Sequence, residues 1–63
     1  MTLKEFLKLN TDGLLLDIYI YDNKGEYIMC ENKRYLLDNN IFLDKQVMSF
    51  EIECDGLCVK LDF

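Results

Sequence analysis

Apolar and polar residues alternate along the C-terminal segment, which reads VMSFEIECDGLCVKLDF over residues 47–63. Alternation with a period of two is the pattern of a half-buried β-strand. The two alternating runs flank Asp55 and Gly56, a dipeptide that favours a two-residue type I′ turn. The segment therefore predicts a hairpin of two antiparallel strands with Asp55 and Gly56 as its loop.

The loop length of a hairpin also sets its register. One face should carry four apolar pairs: Cys54 with Leu57, Ile52 with Val59, Phe50 with Leu61 and Met48 with Phe63. The other face should carry three mostly polar pairs: Glu53 with Cys58, Glu51 with Lys60 and Ser49 with Asp62. We expect the first face to lie in the core and the second to be mostly exposed to water.

The N-terminal segment predicts a helix of about two turns. Thr2 and Glu5 have the spacing of a capping box, in which each side chain accepts a hydrogen bond from the other residue's backbone. Leu3, Phe6 and Leu7 follow at helical spacing and should pack against the C-terminal hairpin. Residues 10–13, NTDG, should end the helix.

A second hairpin is predicted over residues 14–30. Residues 14–21, LLLDIYIY, are rich in strand-forming side chains, and residues 22–25, DNKG, predict a turn with Gly25 at positive φ. A three-residue loop would place Ile20 opposite Ile28 and Ile18 opposite Cys30 on the core face. It would place Tyr21 opposite Tyr27 and Tyr19 opposite Met29 on the other face.

Residues 31–46 contain two short apolar runs around a turn-forming DNN cluster at residues 38–40. Short strands, one helical turn and a packed loop are all compatible with this pattern. The predicted fold is α+β, with a short N-terminal helix followed by an antiparallel sheet of about four strands in two hairpins. The 63 residues should form a single domain.

The predicted helix is too small to cover one face of this sheet. Four strands about 20 Å long at a spacing of about 4.8 Å present roughly 400 Å², and a two-turn helix covers about a third of that area. We therefore expect a homo-oligomer, either a dimer or a tetramer. Edge-to-edge joining of sheets through residues 57–63 is one route to it.

The sheet face away from the helix is the predicted interface. Aromatic residues and Met are enriched in interface cores, and exposed apolar patches mark binding sites. Ordinary cross-strand packing is the alternative interpretation of these residues. In that case the acid in the middle of the first strand, Asp17, would serve to discourage wrong pairing at the sheet edge. The residues assigned to this interface are Asp17, Tyr19, Tyr21, Tyr27 and Met29.

Composition narrows the chemistry. Twelve acidic against seven basic residues give a net charge of −5, which disfavours nonspecific nucleic-acid binding. The charge is compatible with a basic partner surface, and solubility alone is the alternative explanation. The chain has no histidine to act as a general base, so no catalytic residue is assigned and a non-catalytic protein is favoured. No cofactor or metal is predicted, although four carboxylates around the first hairpin could hold Mg²⁺: Asp17, Asp22, Glu26 and Glu31.

The cellular location is inferred from two features. The sequence has no apolar run of about 20 residues, and charges at Lys4, Glu5 and Lys8 do not suit a signal peptide. The three cysteines, Cys30, Cys54 and Cys58, are expected to be reduced. These observations predict a cytoplasmic protein.

Three segments together resemble a known class of small proteins. They are the opening MTLKEFLKLN, the strand and turn LDIYIYDNKGEY, and the ending LDKQVMSFEIECDGLCVKLDF. They resemble accessory proteins of phages and prophages of low-GC Gram-positive bacteria, some of which are anti-CRISPR or other anti-defence proteins. One anti-CRISPR family of this size is described as a small oligomer of helix-plus-sheet subunits that nicks supercoiled DNA. The resemblance transfers no catalytic residue to this chain.

Three functions remain open at this point. The favoured one is a non-catalytic, homo-oligomeric interaction protein of mobile-element type that binds a host protein or protein–nucleic-acid complex, such as a defence complex. The second is a DNA-acting protein, either a binder or a metal-dependent nickase, with cations contributed by Lys24, Lys33, Arg34 and Lys45. The third is a sponge that holds a small signalling nucleotide between subunits.

Overall fold

The computed structural model describes residues 1–9, 17–53 and 56–63. In chain order the elements are helix α1 (Leu3–Leu9), strands β1 (Asp17–Tyr21) and β2 (Tyr27–Asn32), helix α2 (Lys33–Asp38), and strands β3 (Val47–Glu53) and β4 (Gly56–Leu61). The predicted α+β class is confirmed, with a short N-terminal helix and four strands in two hairpins. The expected helix end at residues 10–13 and the first residues of the first predicted strand, 14–16, lie outside the described residues.

The four strands form one sheet in the order β2-β1-β4-β3. Each hairpin is antiparallel, but the two hairpins join through a parallel pairing of β1 with β4, so the sheet is mixed where an antiparallel sheet was predicted. As a result β2 and β3 are the edge strands, and β4 is enclosed between β1 and β3. The expectation that residues 57–63 form a free edge is therefore wrong.

The first hairpin has the predicted turn but a different register. Tyr21 lies opposite Tyr27 as predicted, and an irregularity between Ile20 and Tyr21 then places Ile20 opposite Met29 rather than Ile28. The rest of the strand pair is shifted with it, so Tyr19 lies opposite Cys30. Because a shift of one residue exchanges the faces of a strand, Met29 moves to the helix side and packs against the core.

The second hairpin is shifted by two residues from its predicted register. Phe50 lies opposite Val59 and Ile52 opposite Leu57, while Glu51 faces Cys58 and Ser49 faces Lys60. A shift of two keeps these four residues of β3 on their predicted faces, and an irregularity between Val47 and Ser49 then places Val47 opposite Leu61. The predicted pair of Glu51 with Lys60 is not formed. Cys54, which was predicted to face Leu57, and the predicted turn residue Asp55 lie outside the described residues.

Gly56 does not occupy the predicted turn position. It is the first residue of β4, where it faces Glu53 of β3 and Asp17 of β1, and its φ is not in the left-handed region. A Cβ atom at this position would lie 2.5 Å from the Asp17 carbonyl oxygen and 2.8 Å from Cε2 of Tyr19. Glycine is therefore required because β1 approaches closely, which a turn-based interpretation could not detect.

The core lies between the sheet and a layer formed by both helices and the loop after α2. Its buried side chains are Leu3, Leu7, Ile18, Ile20, Leu36, Leu43, Leu57, Val59 and Leu61. Of the alternatives for residues 31–46, the structure shows a short helix followed by a packed loop. Helix α2 begins after Asn32, whose Oδ1 accepts a hydrogen bond from the Tyr35 backbone N–H at 2.8 Å.

Helix α1 is held at both its cap and its flank. The predicted capping box is present: the Thr2 N–H donates to Glu5 Oε1 at 2.9 Å, and the Glu5 N–H donates to Thr2 Oγ1 at 3.3 Å. Backbone N–H groups of Leu3 and Lys4 donate to the carbonyls of Lys45 and Leu43, which attach the helix to the loop before β3. None of the described helices has the length and apolar content needed to cross a membrane.

Candidate interaction surfaces

The predicted interface residues do not all share one surface. Tyr19 and Tyr21 are half-buried on the sheet face away from the helices, which we call the outer face. The Tyr21 ring meets the Tyr27 ring edge-on, with centroids 5.8 Å apart, and Tyr27 is 58% exposed. Asp17 is exposed at the start of β1. Met29 lies on the opposite face, so the structure brings together the tyrosines but not the methionine.

The outer face of β3 and β4 is mostly polar. Ser49, Glu51, Glu53, Cys58 and Lys60 line a shallow depression of about 250 Å³ beside Tyr21. Removal of water by the surrounding protein is the main cause that raises the pKa of Tyr21, and the adjacent Cys58 thiol, Tyr27 and Glu53 raise it further. The depression therefore combines aromatic and thiol groups with carboxylates on its β3 side.

The helix-side face of β3 carries three exposed apolar side chains. Met48, Phe50 and Ile52, which we call the apolar row, are 53%, 52% and 79% exposed. Sequence reasoning placed these residues in the core because of their alternation, and the register keeps Phe50 and Ile52 on the core side. They are exposed because α1 covers this face of β3 only partly: the contact is made by Phe6, whose ring centroid lies 4.9 Å from that of Phe50.

The backbone of β3 is also open on its outer edge. Val47 donates its N–H to the Met1 carbonyl at 2.8 Å, and Thr2 bridges with Gln46, so the N-terminal segment covers the start of the strand. From Met48 to Glu53, no other strand of the described residues pairs with this edge. An open strand edge with apolar side chains is a template for pairing with another chain. The small area of the predicted helix was the sequence signal for this surface.

The four cations that were expected to support DNA binding lie in different environments. Lys33 is buried, and Arg34 lies 3.8 Å from the Asp38 carboxylate one helical turn away. Lys45 lies over the Phe63 ring, with its Nζ 5.6 Å from the ring centroid. Lys24 is exposed in the turn of the first hairpin. These positions supply no arrangement of cations that would follow a phosphate backbone.

Of the four carboxylates considered for Mg²⁺, Asp22 has a structural role in the turn of the first hairpin. Asp22 Oδ1 accepts hydrogen bonds from the backbone N–H groups of Glu26 and Lys24, which lower the pKa of its carboxyl group. Asp22 is therefore a turn-forming residue. Among the residues that the structure describes, no three His, Cys, Asp or Glu side chains are grouped as metal ligands would be.

Cys30 and Cys58 are not joined in a disulfide and lie opposite Tyr19 on its two sides. Their strands are separated by β1, so their Cα atoms are about 9.6 Å apart, which is too far for a disulfide. Cys54 is outside the described residues.

Comparison with known proteins leaves the surfaces as the basis for inferring function. No protein-family model matches the chain, and neither the curated proteins nor the solved structures gave a match.

Proposed function

We propose that this chain is a non-catalytic interaction protein that forms a homo-oligomer, a dimer or a tetramer, in the cytoplasm. In this proposal the open edge of β3 joins subunits, and the outer face of the sheet contacts the target. Cys30 and Cys58 are in no disulfide, which supports a reducing compartment.

The apolar row is the observation that carries the proposal. Each of its three side chains is more than half exposed, although the neighbouring positions of β1 and β4 on the same face are buried. Contiguous exposed apolar side chains mark protein-binding surfaces. Their position on an open strand edge adds unpaired backbone groups, which a second strand can satisfy by extending the sheet.

The outer face gives the proposed target its chemistry. Glu51 and Glu53 lie opposite Cys58 and Gly56, so neither acid has a cation directly across the strand pair. Together with the net charge of −5, these acids favour a basic protein surface as the target. The exposed Tyr27 and the half-buried Tyr19 and Tyr21 provide aromatic contacts beside them, and Asp17 adds a further acid.

The resemblance to phage and prophage accessory proteins suggests which basic surface is bound. We propose a host defence complex, such as a CRISPR effector, which the protein would inhibit. Such complexes hold nucleic acid in positively charged channels, so an acidic surface is a suitable competitor for that channel.

A plasmid-interference assay tests this function. A low-GC Gram-positive host with an active CRISPR system is transformed with a targeted plasmid and with a non-targeted one, with and without the protein. We expect the protein to restore transformation by the targeted plasmid. The double variant Glu51→Lys with Glu53→Lys should lose this effect.

The matched control is Glu26→Lys with Asp44→Lys, which changes the net charge equally at two other exposed positions. It should restore transformation as the wild type does. Loss of activity in both double variants would show that net charge alone matters, and no restoration by the wild type in any such host would refute the anti-defence role.

The catalytic alternative has a direct test of its own. Supercoiled plasmid incubated with purified protein and Mg²⁺ should remain supercoiled. Conversion to open circles that a chelator abolishes would contradict a non-catalytic function.

A further inference from the structure

We infer that the strand added at β3 is the β3 of a second copy, antiparallel, with the two-fold axis passing at Phe50. This inference rests on the proposed function, because it specifies how the proposed subunits join. The result would be a continuous eight-stranded sheet with an apolar row from each copy meeting on the helix side.

The N-terminal segment limits which part of β3 can pair. Met1 and Thr2 already occupy the edge beside Gln46 and Val47. The free stretch therefore runs from Met48 to Glu53, with the irregularity of β3 at its Met48 end, and Phe50 lies near its middle. A register centred on Ser49 would require Val47, whose N–H is already bonded to the Met1 carbonyl.

The acidic residues decide among the remaining registers. Two copies related by a two-fold axis normal to the sheet keep their apolar rows on the same side only when the axis passes at a residue. An axis at Glu51 would place the two copies of Glu51 directly opposite each other. An axis at Ile52 would place Glu51 opposite Glu53 twice. Like charges directly opposite destabilise a strand pair.

The register centred on Phe50 avoids these repulsions. The two Phe50 side chains face each other, and Met48 of each copy faces Ile52 of the other. On the outer face Ser49 of each copy faces Glu51 of the other, which brings a hydroxyl beside a carboxylate. This register therefore buries all three members of the apolar row and places no acid directly opposite another.

The expected strength follows from the area available. A standard stable interface buries about 800 Å² per partner, which would be about a fifth of this chain's 4293 Å² of accessible surface. A pairing of five residues offers less area than that. We therefore expect a dimer that assembles at micromolar concentrations and that must be tested there.

Cysteine cross-linking tests the register. Phe50→Cys would place two thiols directly opposite, with Cα atoms about 4.5–5.5 Å apart, which is within disulfide range. Ile52→Cys would place them four residues apart along the strands, at about 13 Å, which is too far. After mild oxidation at about 100 µM, within the expected micromolar range, we expect several-fold more covalent dimer from Phe50→Cys than from Ile52→Cys.

The wild-type chain measures the background from the three native cysteines, and circular dichroism confirms that each variant is folded. Equal cross-linking of both variants would overturn the register. Stronger cross-linking of Glu51→Cys would move the axis to Glu51 and would overturn it as well.

Light scattering after size exclusion tests the dimer without introduced cysteines. The wild type should have twice the 7.5 kDa subunit mass, and Phe50→Asp should have the mass of one subunit. Tyr27→Asp is the matched control, since it replaces an aromatic residue of similar exposure on the opposite edge, and it should remain dimeric.

The outcomes separate this inference from the proposed function. A wild-type mass of 7.5 kDa at high micromolar concentration would overturn the dimer, as would loss of the dimer in Tyr27→Asp but not in Phe50→Asp. Inhibition of interference that depends on Glu51 and Glu53 would persist in that case if the target-binding proposal is correct. If inhibition of interference is not observed although the dimer is intact, the proposed target is refuted and the pairing of two β3 strands remains supported.

Discussion

The rings of Phe6 and Phe50 lie 4.9 Å apart, tilted by 51°, where the N-terminal helix meets the edge strand of the sheet. Two residues further along β3, Ile52 is 79% exposed on the same side. The contact therefore marks the limit of the core. Inside it the apolar side chains stabilise the subunit, and beyond it they are free for a partner.

Substitutions on the two sides of this limit should differ in their effect on the subunit. Leu61 is fully buried, so Leu61→Ala should lower the free energy of unfolding by about 2–5 kcal/mol. Phe50 is half exposed, so Phe50→Ala should cost less than about 2 kcal/mol in the monomer. Urea denaturation at low micromolar concentration measures both, and equal losses would contradict the position of Phe50 outside the core.

Gly56→Ala should destabilise the fold although alanine is the smallest possible change. The added Cβ would meet the Asp17 carbonyl oxygen at 2.5 Å, and this oxygen belongs to a central strand that cannot move freely. We expect a loss of about 1–3 kcal/mol or more. Thermal melting measures the loss, and a melting temperature within a few degrees of wild type would show that β1 can yield.

Gly25→Asn serves as the control for this prediction. Gly25 has a φ of 83° but open space around it, and asparagine tolerates left-handed backbone better than other residues. The variant should therefore melt close to the wild type.

The capping box should make stability depend on pH in the acidic range. Hydrogen bonds from the Thr2 backbone and hydroxyl lower the pKa of Glu5 below its ordinary value of 4.5. The ionised form therefore favours the folded state. This contribution is complete above pH 4.5 and is lost as the pH falls through the lower pKa of the folded chain.

Glu5→Gln measures that contribution. The melting temperature of the variant should be lower than that of the wild type at neutral pH, and the difference should shrink as the pH falls below about 4. A difference that stays constant with pH would show that the charge of Glu5 does not stabilise the fold.

Salt should strengthen the dimer. Each copy carries a net charge of −5, so two copies repel, while the contacts proposed at β3 are apolar and backbone contacts. Raising NaCl from about 20 mM to about 500 mM screens this repulsion and should lower the dissociation constant. Sedimentation equilibrium at both concentrations measures it. A dimer that dissociates on adding salt would indicate ion pairs at the interface instead.

The thiols should play no part in holding the fold together. Cys30 and Cys58 are in no disulfide and lie two strand spacings apart. Titration of the denatured protein should find three thiols, and reductant should leave the melting temperature unchanged. A melting temperature that falls with reductant would show that a disulfide stabilises the fold and would contradict the reducing compartment proposed above.

Local chemistry made several elements predictable from the sequence. The pairing of Thr2 with Glu5 in a capping box, the positive φ of Gly25 and the alternation in β3 and β4 depend on residues close in the chain. Hence the α+β class, the helix and the two hairpins could be predicted. The α2 helix was left open, because six residues from Lys33 to Asp38 carry too few apolar positions to display a period.

The register of each hairpin depended on contacts that are remote in sequence. An extra residue in β2 opposite the Ile20–Tyr21 step moved Met29 off the predicted interface. Gly56 lies in a strand instead of a turn, where β1 approaches its backbone closely. Periodicity identifies which residues share a face of a strand, but a bulge changes that assignment without changing the pattern of letters.

What the sequence by itself determined was therefore the set of elements and the apolar face of β3. Only the tertiary structure decided which strands lie at the edges, because the parallel pairing of β1 with β4 encloses β4 and leaves β3 open. That choice arises from burial over the whole sheet: Ile18, Ile20, Leu57 and Val59 occupy the centre under both helices, and the short α1 reaches no further than Phe50. The same alternation that predicted a core strand thus produced, at the edge, a binding surface.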